Sequence, residues 1–381
     1  MTRLSDVVTT ALGTPPTDGN RIDLLRNGDE IFPSMLAAID EAEESVDLLT
    51  FVYWTGDIAR RMAAALSAAA HRGVAVRVLL DAIGASSMDE HLVDVMARAG
   101  ADVRLFRPPL SRFRFRTIEH RTHRKVLVCD DKIGFTGGVG IAAEWEGDAR
   151  GPDEWRDTHA RVEGPAVASL RAAFIQNWSE TEEVFLAEPS RPLPEPAGNV
   201  TVHVVHGQSS VVWSDVGYLF RVLVASAERR LRISTAYFSP DEEFLDLLVR
   251  AARRDVDIQI LVPGPNIDKR VSLVASRSSY ANLATSGVQI REFQPTMLHT
   301  KVITVDGETA VIGSANMNGR SMERDDEVSL VIHDAGLTAR LDQDFDEDLE
   351  RSEIVVAERW VDPPLHRVAL DKVAAGVRRF L

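Results

Sequence analysis

With 381 residues, 45% of them apolar and 27% charged, the chain is long enough for two globular domains with a core each. No stretch approaches the roughly 18–20 apolar residues that span a bilayer, no secretory signal pattern opens the chain, and the lone Cys129 excludes an intramolecular disulfide. A net charge of −15 opposes binding to nucleic acid or anionic lipid except through a local basic patch.

In chain order, Val46 to Trp54 reads as a strand rich in β-branched and aromatic residues. A helix with apolar Ile58, Met62 and Leu66 follows, then a strand over Gly73 to Leu80. A further helix and strand end at Pro108. The same order returns later: Leu231 to Phe238, a helix with Phe244, Leu247 and Leu248, a strand over Val256 to Val262, and an end at Pro295. The halves are offset by 184 residues at Tyr53/Tyr237 and by 187 at Pro108/Pro295. Such a repeat is one supersecondary plan used twice, and its strand–helix alternation predicts an α/β fold. Prolines 189, 192, 194 and 196 mark a linker. Residues 1–195 and 196–360 are therefore expected as two pseudo-symmetric halves, with 361–381 an amphipathic tail.

Arg104 to Lys125 is the local basic run, with eight basic residues against Glu119 and with Phe106, Phe113 and Phe115 between them. Its middle, with Arg112, Arg114 and Arg116, is an insert of the first half and is expected to touch substrate or an anionic surface. A solvated loop is the plainer alternative. His120 lacks companions for a metal site and is expected at the surface. Cys129 alternates out of phase with His123 and Lys125 and is expected in the core. Phe345 and Leu349, like Phe174 and Trp178, are spaced four apart and predict core-facing helices despite their acidic neighbours.

The chemistry sits in two copies of His-x-Lys-x4-Asp: His123, Lys125 and Asp130, then His299, Lys301 and Asp306. Each is followed by glycine and a small residue, Gly137-Gly138 and Gly313-Ser314, and the second copy continues to Asn316. In an extended segment, residues two apart share a face. An imidazole beside an ammonium suits a phosphate diester, one attacking or protonating while the other neutralises the oxyanion. A glycine turn lets the backbone approach a phosphate.

These paired motifs resemble the phospholipase D superfamily, and Gly313 to Ser321 followed by Asp326-Glu327 resembles its cardiolipin synthase branch, in members without membrane-spanning helices before the catalytic part. The resemblance covers the chain from Gly19 to about Ile354. It implies two α/β/α halves with one active site between them and transfer of a phosphatidyl group through a covalent phosphohistidine. It also implies His123 as nucleophile, His299 as general acid, and Lys125, Lys301 and Asn316 as phosphate ligands. Each histidine would be oriented by a downstream carboxylate, Asp157 and Glu327 occupying matching positions, while Asp130 and Asp306 brace the motif. No metal or cofactor is implied. Gly140 departs from the pattern, standing where the first copy would carry asparagine. The implied partners are a phospholipid substrate and an anionic membrane surface, with the protein cytoplasmic or peripheral on the inner face of the cell membrane. Hydrolysis with water as acceptor, a nuclease (disfavoured by the acidic surface) and an inactive phosphate-binding module are the rival readings. Head group, acceptor and oligomeric state stay open.

Overall fold

The computed structural model describes residues 4–108, 120–181, 191–207 and 213–356. The basic insert with Arg112, Arg114 and Arg116 and the tail 361–381 lie outside the described residues. In chain order the first part runs α1 (Leu4–Leu12), β1 (Thr17–Arg26), α2 (Asn27–Glu41), β2 (Ser45–Thr50), α3 (Asp57–His71), β3 (Ala75–Asp81), α4 (Glu90–Arg98), β4 (Asp102–Phe106), β5 (Val126–Cys129), β6 (Ile133–Gly137), β7 (Thr158–Glu163) and α5 (Ala166–Ser179). The second runs β8 (Val200–Val205), α6 (Asp215–Ser226), β9 (Arg230–Thr235), β10 (Phe238–Ser239), α7 (Glu242–Ala252), β11 (Asp257–Pro263), α8 (Arg270–Arg277), α9 (Tyr280–Thr285), β12 (Gln289–Phe293), β13 (Lys301–Val305), β14 (Thr309–Gly313), β15 (Met317–Asn318), β16 (Ser329–His333), α10 (Ala335–Glu350) and β17 (Ser352–Ile354).

Fifteen strands form one sheet in the order β17-β12-β11-β9-β13-β14-β16-β8-β1-β7-β6-β5-β2-β3-β4. The order reads alike from either end once the edge strand β17 is set aside, and the centre is the antiparallel pair β8–β1. In each half a parallel trio, β2-β3-β4 or β9-β11-β12, runs on into antiparallel strands that carry the histidine motif.

Pairing with the motif strand sets the true register of the repeat. Leu49 pairs with Val126, and Ser234 pairs with Val302, so β2 and β9 correspond with an offset of 185. Tyr53 therefore corresponds to Phe238, one residue beyond the Tyr53/Tyr237 match expected above. That slip matters because strand side chains alternate between faces. The offset of 185 puts Val46 and Leu48 on the helix-facing side, as Leu231 and Ile233 are.

Three large core clusters follow from this plan. In the first half, Ile58, Met62 and Leu66 of α3 are fully buried against Val46, Leu48 and Val78. Each such side chain contributes about 1.5–3 kcal/mol of burial free energy. In the second half, α6, α7 and β9 build the matching core. A third cluster unites the halves, with Leu170 and Phe174 of α5 and Leu341 of α10 covering residues from both. The N-terminal helix crosses over: Val8 of α1 is buried among Val216, Leu219 and Leu223 of α6. Cys129 is 2% exposed and burial pushes its thiol up, so it behaves as a small apolar residue.

Part of the expected basic patch is internal. Arg121 and Arg124 are buried. Arg121 pairs with Asp81 (3.0 Å) and donates to the carbonyls of Phe106 and Arg107. Arg124 donates to the carbonyls of Ala173, Gly207 and Glu327. Two of the eight basic residues are thus structural cross-links, because a guanidinium reaches several carbonyls at once.

Candidate active site

Both histidines lie in extended segments that feed a strand, His123 ahead of β5 and His299 ahead of β13. Each segment pairs with the carboxylate-bearing segment of the other half. The His123 amide donates to the Asp326 carbonyl (2.9 Å), and the Asp326 amide to Arg121 (2.9 Å). Likewise the His299 amide donates to Arg156 (2.7 Å), and the Arg156 amide to Met297 (2.9 Å). These two short bridges bring the halves together and set the side chains.

The result is a crossed pair. His123 Nδ1 lies 2.9 Å from Glu327 Oε1, and His299 Nδ1 lies 2.8 Å from Asp157 Oδ2. The expectation that each histidine takes a downstream carboxylate fails for His299, whose partner is 142 residues upstream. Equivalent positions in a repeat meet across its axis, so partners exchange. A carboxylate on Nδ1 holds the proton there and leaves the Nε2 lone pair of His123 free, whereas Lys301 Nζ stands 3.1 Å from His299 Nε2.

The carboxylates are themselves held. Asp157 accepts from the Thr158 amide (2.8 Å) and from Trp145 Nε1 (2.9 Å), and Glu327 accepts from the Ser314 hydroxyl. The glycines serve this packing. A Cβ on Gly138 would lie 2.2 Å from Asp157 Oδ1, on Gly137 2.5 Å from His159 Nδ1, and on Gly313 2.4 Å from Ser329 Oγ. Gly138 and Ser314 thus stand against the carboxylates, Gly137 and Gly313 against the strands beside them, and none of the four lines the pocket described below. Gly140 is explained in the same way. A Cβ there would lie 2.7 Å from Val52 Cβ and 3.0 Å from the Trp145 ring. Trp145 fills the space an asparagine would need and packs edge-on to His299 at 5.0 Å. Its role had no signal in the motif, since it lies five residues past the departure. Asp130 and Asp306 work far from this point, each accepting three amides: those of residues 43–45, and those of residues 228–230.

A pocket of about 100 Å³ opens on His123, Phe51, Tyr237, Lys269, Asn316 and Arg320. Lys125 Nζ donates to the His123 carbonyl (3.0 Å), and Lys301 Nζ stands 2.9 Å from His299 Nδ1. Asn316 is 3% exposed, and its carboxamide oxygen has no partner among the described residues. None of Tyr237, Lys269 and Arg320 was expected in the site: Tyr237 served only to align the repeat, Arg320 lay within the family-like stretch, and nothing in the sequence distinguishes Lys269 from a surface residue.

Burial dominates the electrostatics. It lowers the His123 imidazole, with Glu327 opposing and Lys125 adding to the fall. It holds His299 well below its usual value, helped by the charges of Lys301 and Lys125. Lys125 falls to about 8 and Lys301 to about 7, again chiefly by desolvation. Burial raises the Asp157 carboxyl. Burial alone would raise Glu327 too, but His123 and Lys125 hold it below its usual range. Two neutral imidazoles beside two easily perturbed ammonium groups, with His123 opening on the pocket, suit an anionic phosphorus centre.

A family model described as "Cardiolipin synthase, PLD-like domain" matches residues 35–145 and 221–349, which hold both motifs. The chain belongs to this cardiolipin synthase family of phospholipase D-like proteins. It is 33% identical over 370 residues to a cardiolipin synthase of Geobacillus kaustophilus (strain HTA426), covering 96% of this chain and 73% of that one. It is 32% identical over 360 residues to cardiolipin synthase 1 of Bacillus cereus (strain ATCC 14579), covering 92% and 70%. In fold it is similar to the crystal structure of phosphatidylserine synthase from Haemophilus influenzae Rd KW20, with a TM-score of 0.77, 14% identity and full coverage of both chains. Among the described residues no helix is long and apolar enough to cross a membrane.

Proposed function

We propose that this protein is a phosphatidyltransferase of the cardiolipin synthase type, moving a phosphatidyl group between alcohols through a covalent phosphohistidine. The observation that carries the reading is the crossed pairing of His123 with Glu327 and His299 with Asp157 across the two halves. His123, which opens on the pocket, attacks phosphorus through its Nε2 lone pair. As the P–N bond forms, the P–O bond to the leaving alcohol breaks, and His299 gives that oxygen a proton. A bound diester anion counters the ammonium charges that help depress His299, which favours its protonated form. In the second step the acceptor hydroxyl attacks phosphorus, its proton returns to His299, and the P–N bond breaks. Lys125, Lys301 and the Asn316 amide steady the phosphoryl oxygens in both steps.

Phospholipid is the substrate, and water as acceptor gives hydrolysis by the same route. We assign residues 1–195 and 196–360 to the two halves and read 361–381, with the basic insert, as a peripheral contact to an anionic membrane surface on the cytoplasmic side. The test is to quench the enzyme during turnover of a phospholipid with labelled phosphorus. An acid-labile adduct on His123, lost in His123→Ala, is expected, with turnover abolished in His123→Ala and His299→Ala. An adduct on His299 alone would reverse the roles, and a burst without any adduct would favour direct displacement.

A further inference from the structure

We propose that Lys269, with Ser272 one turn further on, forms a subsite for the anionic phosphate of the acceptor lipid, so that the enzyme selects a hydroxyl borne on an anionic phospholipid over an uncharged alcohol. This rests on the phosphatidyl-transfer reading above and deepens it.

Three side chains in the pocket wall carry cationic charge when protonated: His123, Lys269 and Arg320. His123 is committed to Glu327, and Arg320 is held by two contacts to Asp325 at 3.0 and 3.1 Å. Lys269 forms no ion pair among the described residues, lying instead with Nζ 5.3 Å from the centre of the Tyr237 ring. The carboxylate beside it in the chain is occupied, since Tyr237 donates its hydroxyl to Asp268 at 2.8 Å. The Ser272 amide donates to the Lys269 carbonyl (2.9 Å), which turns Ser272 back into the same wall.

Position decides which substrate this charge serves. The Tyr237 ring neighbours both groups, 5.3 Å from Lys269 Nζ and edge-on to the His299 imidazole at 6.3 Å. His299 is the group that receives the acceptor's proton. The acceptor hydroxyl must therefore sit beside His299, and a phosphate a few bonds away on the same molecule falls on the Lys269 side of the pocket. Asn316 adds a second requirement. Its buried, unpartnered carboxamide oxygen needs a donor, which an alcohol supplies and a phosphate diester does not. The charge of Lys269 also contributes to lowering His299, so the two groups share one electrostatic field. An exposed ammonium acts over a distance limited by salt, with a Debye length of about 8–10 Å. The selectivity should accordingly weaken as ionic strength rises.

The experiment uses the full chain and a phosphatidyl-p-nitrophenol donor in uncharged micelles, with phosphatidylglycerol or monoacylglycerol as acceptor. The wild type is expected to favour the anionic acceptor by tenfold or more in kcat/KM, less so at high salt. Lys269→Gln should cut that ratio about tenfold, and Lys269→Glu should cut it further or reverse it, about 1.4 kcal/mol for each factor of ten. An unchanged ratio in Lys269→Gln, or equal losses with both acceptors, would overturn the subsite. Nitrophenolate release by the wild type without transfer to either acceptor would instead overturn the transferase reading itself.

Discussion

Because each histidine is oriented by the carboxylate of the other half, single substitutions separate the two chemical roles proposed for them. Glu327→Gln disturbs the tautomer of the attacking His123, so adduct formation should fall by about 10²–10³ whatever the leaving group. Asp157→Asn weakens the acid His299, and its penalty should depend on the leaving group. It should be large for an alkyl alcohol and slight for nitrophenol, which departs without a proton. Stopped-flow bursts with the two donors read this directly, and a uniform loss in Asp157→Asn would contradict the crossed assignment. The pH profile follows from the same burial. His123 must be neutral to attack, and its value lies below 6.5, so kcat/KM should fall on the acid side only below that point. The lysines must be charged, with Lys301 near 7 and Lys125 near 8, and His299 must carry a proton although burial holds it well below its usual value, so the alkaline loss of kcat/KM should begin below 7. Bound anion raises both lysines, so the alkaline limb of kcat should lie higher than that of kcat/KM.

Among the elements, α1 is tied to a half to which it does not belong in sequence. Beyond Val8, a chain of contacts holds it: Thr9 Oγ1 to His203 Nε2 (3.0 Å), His203 Nδ1 to His333 Nε2 (2.9 Å), and Thr309 Oγ1 to His333 Nδ1 (3.1 Å). Burial lowers both imidazoles to about 4, with Asp6 of α1 acting the other way on His333. The folded values lie below the ordinary 6.5, so the unfolded chain takes up protons first as pH falls. The stabilisation is therefore complete above about 6.5 and is lost progressively toward about 4. Urea midpoints should decline through that window, and His203→Gln with His333→Gln should flatten the decline. An equally steep decline in the double variant would assign it to other groups.

For the molecule as a whole, a charge of −15 means that any approach to anionic lipid depends on local positive surface. With Arg121 and Arg124 buried, the proposed membrane contact draws on the insert (Arg112, Arg114, Arg116, with Phe113 and Phe115) and the tail (Arg378, Arg379, Phe380). Each basic side chain near an anionic membrane contributes about 1 kcal/mol, and apolar insertion resists salt. Sedimentation with anionic liposomes should fall with rising salt without vanishing. Replacing the three arginines with glutamine should weaken it, as should deleting the residues after Asp362. No binding at low salt together with cleavage of DNA would return the protein to the nuclease reading.

What is periodic or duplicated can be read from the chain alone: the strand–helix order, the α3 stripe of Ile58, Met62 and Leu66, and the two motifs with their histidines, lysines and aspartates. Local patterns are written in the chain because a helix face or a strand face is a matter of spacing alone. Tertiary structure decided what depends on the meeting of distant segments. The one-residue register between β2 and β9 was settled by pairing with β5 and β13. The exchange of Asp157 and Glu327 between histidines was settled by the symmetry axis, across which equivalent positions trade partners. Trp145 filling the space at Gly140, and Lys269 facing the pocket beside Tyr237, were settled by packing. No spacing rule connects residues more than a hundred positions apart, so only the closed fold brings such groups within hydrogen-bond reach.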